Sequence, residues 1–359
     1  MITVDVSDKV TVQTYSKDYQ VVSTKELALE LPLFGTFYSN EKYHYIAYGQ
    51  ENKEESNEKE VIRIVKYDHA FNRVDAISIK GGEIYTTIPF SSSVSRMAEQ
   101  NGQLVFHTSR TRYKSDDGLN HQSQLTLVID TNTMRVLNDT SLFQKNHVSH
   151  SFNQFILFDG NDHVLLDHGD AYPRSIVLHK GTGTQYQEKN IVPIPGSVGA
   201  NQTGVSLGGF EQSSHNYLVL YNEIDHKKAI SYDSYNIDGV DSNRRDIKLA
   251  VVSKDLSNSS INQFAEYTNT EKQIASLPNL VKLSDDEFVV LWQEFDHQST
   301  PKYLKYVKIN GQGQAISDIQ SKERMYLSYM QPTYANGKIS WYVNQNNSKY
   351  FFSLDVSNL

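Results

Sequence analysis

Histidines, arginines and aspartates concentrate in two stretches of the chain, at 96–121 and at 147–174. Ten of these side chains, with one amide and one tyrosine among them, form our predicted ligand-binding set: Arg96, Arg110, His121, His147, His150, Asn153, His168, Asp170, Tyr172 and Arg174. Imidazoles serve as general bases or metal ligands near neutral pH, and guanidinium groups bind oxyanions through a planar fork. Residues of these types suit an acid–base centre, a metal centre or a polar ligand site.

The catalytic interpretation gives His150 the role of nucleophile or general base. Three guanidinium groups would neutralise a bound sulfate, phosphate or carboxylate: those of Arg96, Arg110 and Arg174. The candidate catalytic residues are therefore His150, Arg96 and Arg174. The structural alternative is that Asp170 and Arg174 simply pair across a turn.

The metal interpretation uses His121, His168 and Asp170 as ligands of zinc or another divalent cation, the one candidate cofactor. Their spacing is nonspecific, and the sequence has no His-Glu-x-x-His helix. Histidines on strands more often hydrogen-bond to a neighbouring sheet, which favours a structural role for this group.

The third interpretation is ligand binding without catalysis, in which Tyr172 stacks on a sugar ring and the polar groups bind its hydroxyls. We take this as the main functional prediction, with a glycan or a surface protein as partner. The alternative is a propeller enzyme of sulfotransferase, lyase or hydrolase type that uses the His/Arg/Asp cluster.

A sequence repeat indicates which elements position these residues. Short apolar strands follow polar turns at six places, and they start at residues 43, 103, 163, 216, 287 and 338. Asn-Gly turns precede two of them, as is typical of tight β-hairpins. Further strand-like segments flank each one, so that every repeat resembles a four-stranded antiparallel sheet.

Radial repetition of such sheets predicts an all-β fold, a single β-propeller over 1–359 with six four-stranded blades. The predicted blades cover the following spans: 33–80, 94–138, 147–195, 203–256, 274–320 and 328–357. Residues 1–32 would supply a lead-in and a strand at 10–15 that closes the last, three-stranded blade. Seven blades or a two-sheet arrangement are the alternatives, and 24–30 is predicted as one or two helical turns.

The same repeat places the two polar stretches together. Loops before the first strand and after the second strand of each blade open on one side, so the second and third blades would share one mouth. Packing is the rival explanation, in which His150 and Asp170 belong to a satisfied hydrogen-bond network.

Composition restricts the partners. The chain has 34 Lys and Arg against 42 Asp and Glu and a net charge of −8, without a basic cluster, so nucleic acid is not a predicted partner. No apolar run is long enough for membrane insertion. The absence of cysteine excludes disulfides and thiolate metal sites. Residues 1–6 lack the features of a signal peptide, so an exported protein would have lost its leader.

Several strings resemble a group of secreted or surface-attached bacterial proteins: Val148–Gln154, Asp167–Arg174, Asp117–Ser123 and Thr203–Glu211. The likeness runs from about Leu33 to Leu354. It implies an extracellular or cell-surface bacterial propeller without implying a reaction.

A looser similarity is to six-bladed arylsulfotransferases, in which a channel histidine accepts the sulfuryl group. His150 and Asn153 follow a His-x-x-Asn spacing, whereas the rest of that motif is missing here. This similarity implies only an analogy for the role of His150.

Overall fold

The structure, a computed structural model, describes residues 1–270, 273–275, 278–346, 348–357 and 359. In this part of the chain 58% of residues lie in strands and 1% in helix, which confirms the all-β class. The helix found there is a single turn, far too short to cross a bilayer. The chain divides into two compact units, Met1–Pro173 with Val177–Glu188, and Arg174–Ile176 with Lys189–Leu359.

The first unit contains fourteen complete strands and the helical turn α1 (Gly81–Ile84). Its strands are β1 (Ile2–Val6), β2 (Lys9–Tyr15), β3 (Val21–Ala28), β4 (Leu33–Ser39), β5 (His44–Gly49), β6 (Glu60–Tyr67), β7 (Arg73–Lys80), β8 (Thr86–Pro89), β9 (Arg96–Gln100), β10 (Gln103–Arg112), β11 (Gln122–Asp130), β12 (Arg135–Val136), β13 (Ser149–Asp159) and β14 (Asp162–Ala171).

Two strands have residues in both units, β15 (Arg174–Gly181) and β16 (Tyr186–Pro193). The remaining strands belong to the second unit: β17 (Val205–Gln212), β18 (Asn216–Glu223), β19 (Ser231–Tyr232), β20 (Ile237–Asp238), β21 (Asp246–Ser253), β22 (Ser259–Ala265), β23 (Gln273–Ala275), β24 (Asn279–Ser284), β25 (Glu287–Asp296), β26 (Pro301–Asn310), β27 (Gln320–Glu323), β28 (Thr333–Ala335), β29 (Lys338–Gln345) and β30 (Ser348–Asp355).

All six apolar strands predicted from the repeat are present, as β5, β10, β14, β18, β25 and β29. Each lies inside an antiparallel sheet with a partner on either side, as in the order β4-β5-β6-β7. The predicted Asn-Gly turns also form: Asn101-Gly102 joins β9 to β10, and Asn336-Gly337 joins β28 to β29. All four turn residues have positive φ, which two-residue hairpins of this type require.

Sheets pack face to face within each unit, and this explains why the central strands are apolar along their whole length. On β5, Tyr45 and Ala47 face a core shared with β10 and β11. Ile46 and Tyr48 point the opposite way, into a core shared with β2. In the second unit, alternate residues of β25 enter two cores in the same manner, one with β18 and one with β29. Burial on both faces removes the usual polar alternation.

The predicted role of the strand at 10–15 is wrong, although the strand exists. It is β2, the middle strand of the sheet β1-β2-β3, and both of its edges are already hydrogen-bonded. It therefore has no free edge with which to close the sheet β28-β29-β30. Instead, Val10 and Val12 pack on the face of the sheet that contains β5.

The predicted helical turns at 24–30 are also wrong. Residues Val21–Ala28 form strand β3, which pairs with β2 from Lys9↔Ala28 to Tyr15↔Val21. Helix-favouring residues such as Glu26 and Leu27 are overridden here, because the cross-strand hydrogen bonds of a three-stranded sheet outweigh a weak local propensity.

The second and third repeats are joined in one nine-stranded sheet, in which β11 pairs with β13 through Ser123↔Ser149. The fourth strand of the second repeat, β12, is only two residues long, and it pairs with the end of β11 at Ile129 and Asp130. The start of β11 is therefore open to β13. This junction brings the loops of the two repeats together.

The single propeller domain, the number of blades and the spans of the blades stay predictions. Within the predicted spans, residues 276, 277 and 347 lie outside the described residues. The fourth strand of the fourth repeat, β22, ends at Ala265, beyond the predicted limit of 256.

Substitution of Val10 tests the face-to-face packing of the N-terminal sheet. Val10 is fully buried, so Val10→Ala should lower the free energy of unfolding by about 2 kcal/mol. Val22, exposed on β3 of the same sheet, is the control. Val22→Ala should change the free energy of unfolding by less than about 0.5 kcal/mol. Urea titration measures both values, and equal effects of the two substitutions would contradict the packing.

Candidate functional site

His150 and Asp170 form a cross-strand pair beside the β11–β13 junction. The register Ser149↔Ala171 and Ser151↔Gly169 places them opposite each other on β13 and β14. The His150 Nδ1–H donates to Asp170 Oδ1 over 2.9 Å. The Asp170 side chain is 0% exposed, whereas that of His150 is 25% exposed. A buried carboxylate thus orients an imidazole that solvent reaches.

The backbone around His150 is irregular. His150 has a φ of 51°, in the left-handed region that residues other than glycine seldom occupy. The pairing of β13 with β14 also shifts between Ser151 and Asn153, which marks a β-bulge. Strained backbone and bulges are common where a side chain must be aimed for function.

A second imidazole–carboxylate pair lies next to the first. The His121 Nε2–H donates to Asp117 Oδ2 over 2.7 Å, and both side chains are partly exposed. The ring centroids of His121 and His150 are 6.2 Å apart. The structure therefore brings these two predicted site residues together.

A third pair, absent from the sequence prediction, is completely buried. The His107 Nε2–H donates to Asp167 Oδ2 over 3.0 Å, and the Ser151 hydroxyl donates to Asp167 Oδ1 over 2.6 Å. The other nitrogen of His107 lies 2.9 Å from Thr126 Oγ1, which accepts from Asn146. All five side chains are buried, so this chain of hydrogen bonds is a structural network that links β10, β11, β13 and β14.

Arg110 is inaccessible to a ligand. Its guanidinium group donates to the carbonyl oxygens of Ile84, Gln124 and Leu142 and to the hydroxyl of Ser123. Burial, with a contribution from neighbouring Arg112, lowers the pKa of Arg110 to about 9. Main-chain carbonyl oxygens take up most of its donors, so the structure gives no support to the prediction that Arg110 binds an anion.

Arg96 also serves the main chain. Its Nε donates to the carbonyl of Gln154 over 2.9 Å, and its guanidinium carbon lies 4.0 Å from the centroid of the Phe155 ring. Burial lowers the pKa of Arg96 to about 10. This arginine fastens β9 to β13, so the structure gives no support to a catalytic role.

Arg174 belongs to the second unit. Its guanidinium group donates to the carbonyl oxygens of Pro195, Ala200 and Gln202, and it therefore holds the loop that follows β16. Because the guanidinium donors of Arg174 bind these carbonyl oxygens, they hold the loop, and this is the physical reason against the predicted catalytic role of Arg174.

The other predicted residues have separate surroundings. His168 is buried with its ring edge-on to Phe152, Asn153 faces it across the bulge, and Tyr172 is 72% exposed. The proposed metal ligands His121, His168 and Asp170 do not converge. The described residues contain no group of three or more histidines and carboxylates arranged to hold a metal ion.

His147 lies close to Arg112, a residue that the predicted ligand-binding set did not include. Burial, together with the charges of Arg112 and Arg110, lowers the pKa of His147 to about 4, so its ring is neutral at physiological pH. The alternation along β10 was the available signal, since Arg110 and Arg112 project from the same face of a regular strand.

The second unit contains a cavity of about 560 Å³ that sequence reasoning also missed. Hydroxyl, amide, guanidinium and aromatic groups dominate its lining, including those of Ser206, Asn222, Arg245, Gln293, Phe295 and Tyr329. Arg245 Nη1 donates to Ser206 Oγ over 2.7 Å, and burial lowers its pKa. No carboxylate is found among the described lining residues.

Comparison with known proteins gives no family assignment. No family model matches the chain, and no curated protein matches it. The resemblance to secreted bacterial propeller proteins stays a prediction.

The comparison with solved structures found matches at low identity. An endo-arabinase from Bacteroides thetaiotaomicron is 11% identical over 91% of this chain and 95% of its own, with a TM-score of 0.39. A mutant of the GH43 protein BlXynB from Bacillus licheniformis is 10% identical, with a TM-score of 0.36, over 83% of this chain and 58% of its own. An apocarotenoid oxygenase from Synechocystis is 8% identical over 86% of this chain and 68% of its own, with a TM-score of 0.44. Likeness at this level carries no argument about activity.

Substitution of Asp167 tests whether the buried network is structural. Asp167→Ala should lower the free energy of unfolding by about 3 kcal/mol, because His107 and Ser151 lose their shared buried acceptor. Asp162→Ala on the same strand is the control, and its partly exposed carboxylate should contribute less than about 0.5 kcal/mol. Comparable losses in the two variants, measured by urea titration, would contradict the assignment.

Proposed function

We propose that this protein is an enzyme that acts on a polar substrate by general acid–base catalysis, with His150 as the base. The observation that carries the proposal is the fully buried Asp170 carboxylate, 2.9 Å from Nδ1 of a solvent-accessible imidazole. Hydrolysis, elimination and group transfer each require such a base. For the chain as a whole we retain the six-bladed propeller as our proposed architecture, because antiparallel sheets stack on one another within each unit.

The hydrogen bond to Asp170 defines the chemistry of His150. Because Nδ1 carries the proton that Asp170 accepts, the lone pair is on Nε2, which is then free to take a proton from water or a substrate hydroxyl. The resulting imidazolium is stabilised by the carboxylate at 2.9 Å. The left-handed backbone at His150 fixes the direction of the ring.

His121 supplies the complementary acid. The centroid of its ring lies 6.2 Å from that of the His150 ring. Asp117 accepts the Nε2–H of this imidazole over 2.7 Å. The imidazolium form of His121 delivers the matching proton from its other nitrogen, Nδ1.

Turnover by wild-type protein and two variants tests the proposal. Aryl esters, aryl sulfates, aryl glycosides and uronate-containing polysaccharides cover the ester hydrolase, sulfotransferase, glycosidase and lyase classes. On the substrate that is turned over, His150→Gln and Asp170→Asn should each lower kcat/KM by about 10²- to 10⁴-fold.

His69→Gln is the matched control, because His69 is exposed and its Nε2 donates to the carbonyl of Glu41 in the same unit. It should leave kcat/KM unchanged. If His150→Gln lowers the melting temperature but not the activity, the His150–Asp170 pair has a structural role and not a catalytic one. Absence of turnover across all substrate classes would favour the second candidate function.

The second candidate is a ligand-binding module for a glycan, favoured by the 560 Å³ cavity of the second unit. This volume suits a small ligand. Hydroxyl and amide groups would bind sugar hydroxyls, while Phe295 and Tyr329 offer ring faces for the apolar side of a sugar. With it we propose an extracellular or cell-surface location and a glycan or surface-protein partner.

Tyr329 allows a clean test, because it lines the cavity and is almost fully exposed. Tyr329→Ala should weaken the binding of a glycan identified on an array about tenfold, equivalent to ~1.4 kcal/mol. Tyr235→Ala, equally exposed and away from the cavity, is the control and should bind normally. Titration calorimetry measures both. Unchanged affinity of Tyr329→Ala would exclude this cavity.

A further inference from the structure

Arg112, at the end of β10, is a buried cation without hydrogen-bond partners for most of its donors. The residue is only 4% exposed. Its Nε and Nη1 atoms are buried and have no hydrogen-bond partner among the described residues. Leaving such donors unsatisfied in the interior costs free energy, so an unpaired guanidinium group needs an explanation.

The surroundings of Arg112 carry positive charge in excess. Arg110 lies close enough for the charge of Arg112 to lower its pKa, and the donors of Arg110 go to neutral carbonyl and hydroxyl oxygens. Among the described residues no carboxylate oxygen lies within 4.0 Å of Arg112. Asp117 acts on it only at longer range and is already bonded to His121.

A second unsatisfied group lies beside it. The Nδ1 atom of His147 is buried, and in the part of the chain that the structure describes it has no hydrogen-bond partner. The ring of His147 meets the Phe143 ring edge-on, with centroids 4.8 Å apart, and the guanidinium carbon of Arg112 is 4.7 Å from the same Phe143 ring. Phe143 thus holds both groups next to one another, while its own side chain is mostly exposed.

The main chain at Arg112 is held by its neighbours. The pairing of β10 with β8 shifts register between Thr111 and Arg112, where β8 has one extra residue. The N–H of Arg112 donates to the carbonyl of His121, and its own carbonyl accepts from Asn120. The main chain that bears the guanidinium group is therefore fixed before any ligand binds.

We propose that Arg112, with His147 and Phe143 beside it, binds an oxyanion: a carboxylate, sulfate or phosphate group carried by a ligand. Arg110 and Arg112 are buried guanidinium groups without a carboxylate partner, and the negative charge of a bound anion offsets their positive charge while its oxygens satisfy the free donors of Arg112. Phe143 marks the exposed side from which the anion enters. The inference that this site is a subsite for the substrate rests on the proposed enzymatic function. Oxyanion binding by Arg112 does not depend on that function.

Sodium sulfate, sodium phosphate and sodium glucuronate are the probes, each compared with sodium chloride at equal ionic strength. Calorimetry and the melting temperature of the full chain report binding, since a ligand specific for the folded state raises the melting temperature. At least one probe should bind wild-type protein, and Arg112→Met should weaken its affinity at least tenfold. The probe bound most tightly identifies the anion class.

Arg135→Met is the matched control, an exposed arginine on the same sheet, and it should bind like wild type. Without anion, Arg112→Met should melt at or above the wild-type temperature, because it removes an unpaired buried charge. If Arg112→Met does not fold, Arg112→Lys replaces it in the experiment. It should also weaken the affinity for the anion, because lysine lacks the planar fork of the guanidinium group.

Three results would overturn the proposal: no binding of any probe to wild type, equal binding by Arg112→Met, or equal loss in Arg135→Met. His150→Gln separates the two proposals. It should lower kcat/KM by about 10²- to 10⁴-fold yet bind the oxyanion normally. The binding measurement can therefore be interpreted even if the catalytic proposal fails.

Discussion

The packing of antiparallel sheets face to face is the constraint on which the rest of the structure depends. Central strands such as β5 and β25 bury alternate side chains in two different cores, so the middle of each strand is unavailable for polar function. Groups with chemistry therefore lie at strand ends, bulges and loops. His150 and Asp170 follow this rule, because they lie where β13 begins and β14 ends.

Buried charge is handled in two different ways in the first unit. Arg96 and Arg110 place their donors on carbonyl oxygens, which satisfies the hydrogen bonds while the positive charge remains. Asp167 and Asp170 are buried carboxylates, and each is bonded to an imidazole. Arg112 fits neither arrangement. The contrast between these neighbours separates residues that hold the sheet together from those available to a ligand.

The sequence predicted the six central strands because apolar runs and Asn-Gly turns are local signals. It did not predict the place of β2, since the choice between an edge of the last sheet and a sheet with β1 and β3 depends on distant hydrogen-bonding partners. In the candidate site it grouped His121, His150 and Asp170 correctly as neighbours through the repeat. It assigned Arg96, Arg110 and Arg174 to a ligand because side-chain type does not reveal which carbonyl oxygens lie nearby.

The order of sheets in the first unit has a consequence for synthesis on the ribosome. The sheet β1-β2-β3 packs on β4–β7, and the latter packs on β10 and β11, so cores form between segments that follow one another in the chain. Each emerging sheet finds the face of its partner already made, and assembly proceeds by short-range steps. The most recently completed sheet always presents an apolar face, however. The nascent chain is therefore most prone to aggregate, or to be held by a chaperone, in the interval before the following repeat has been translated.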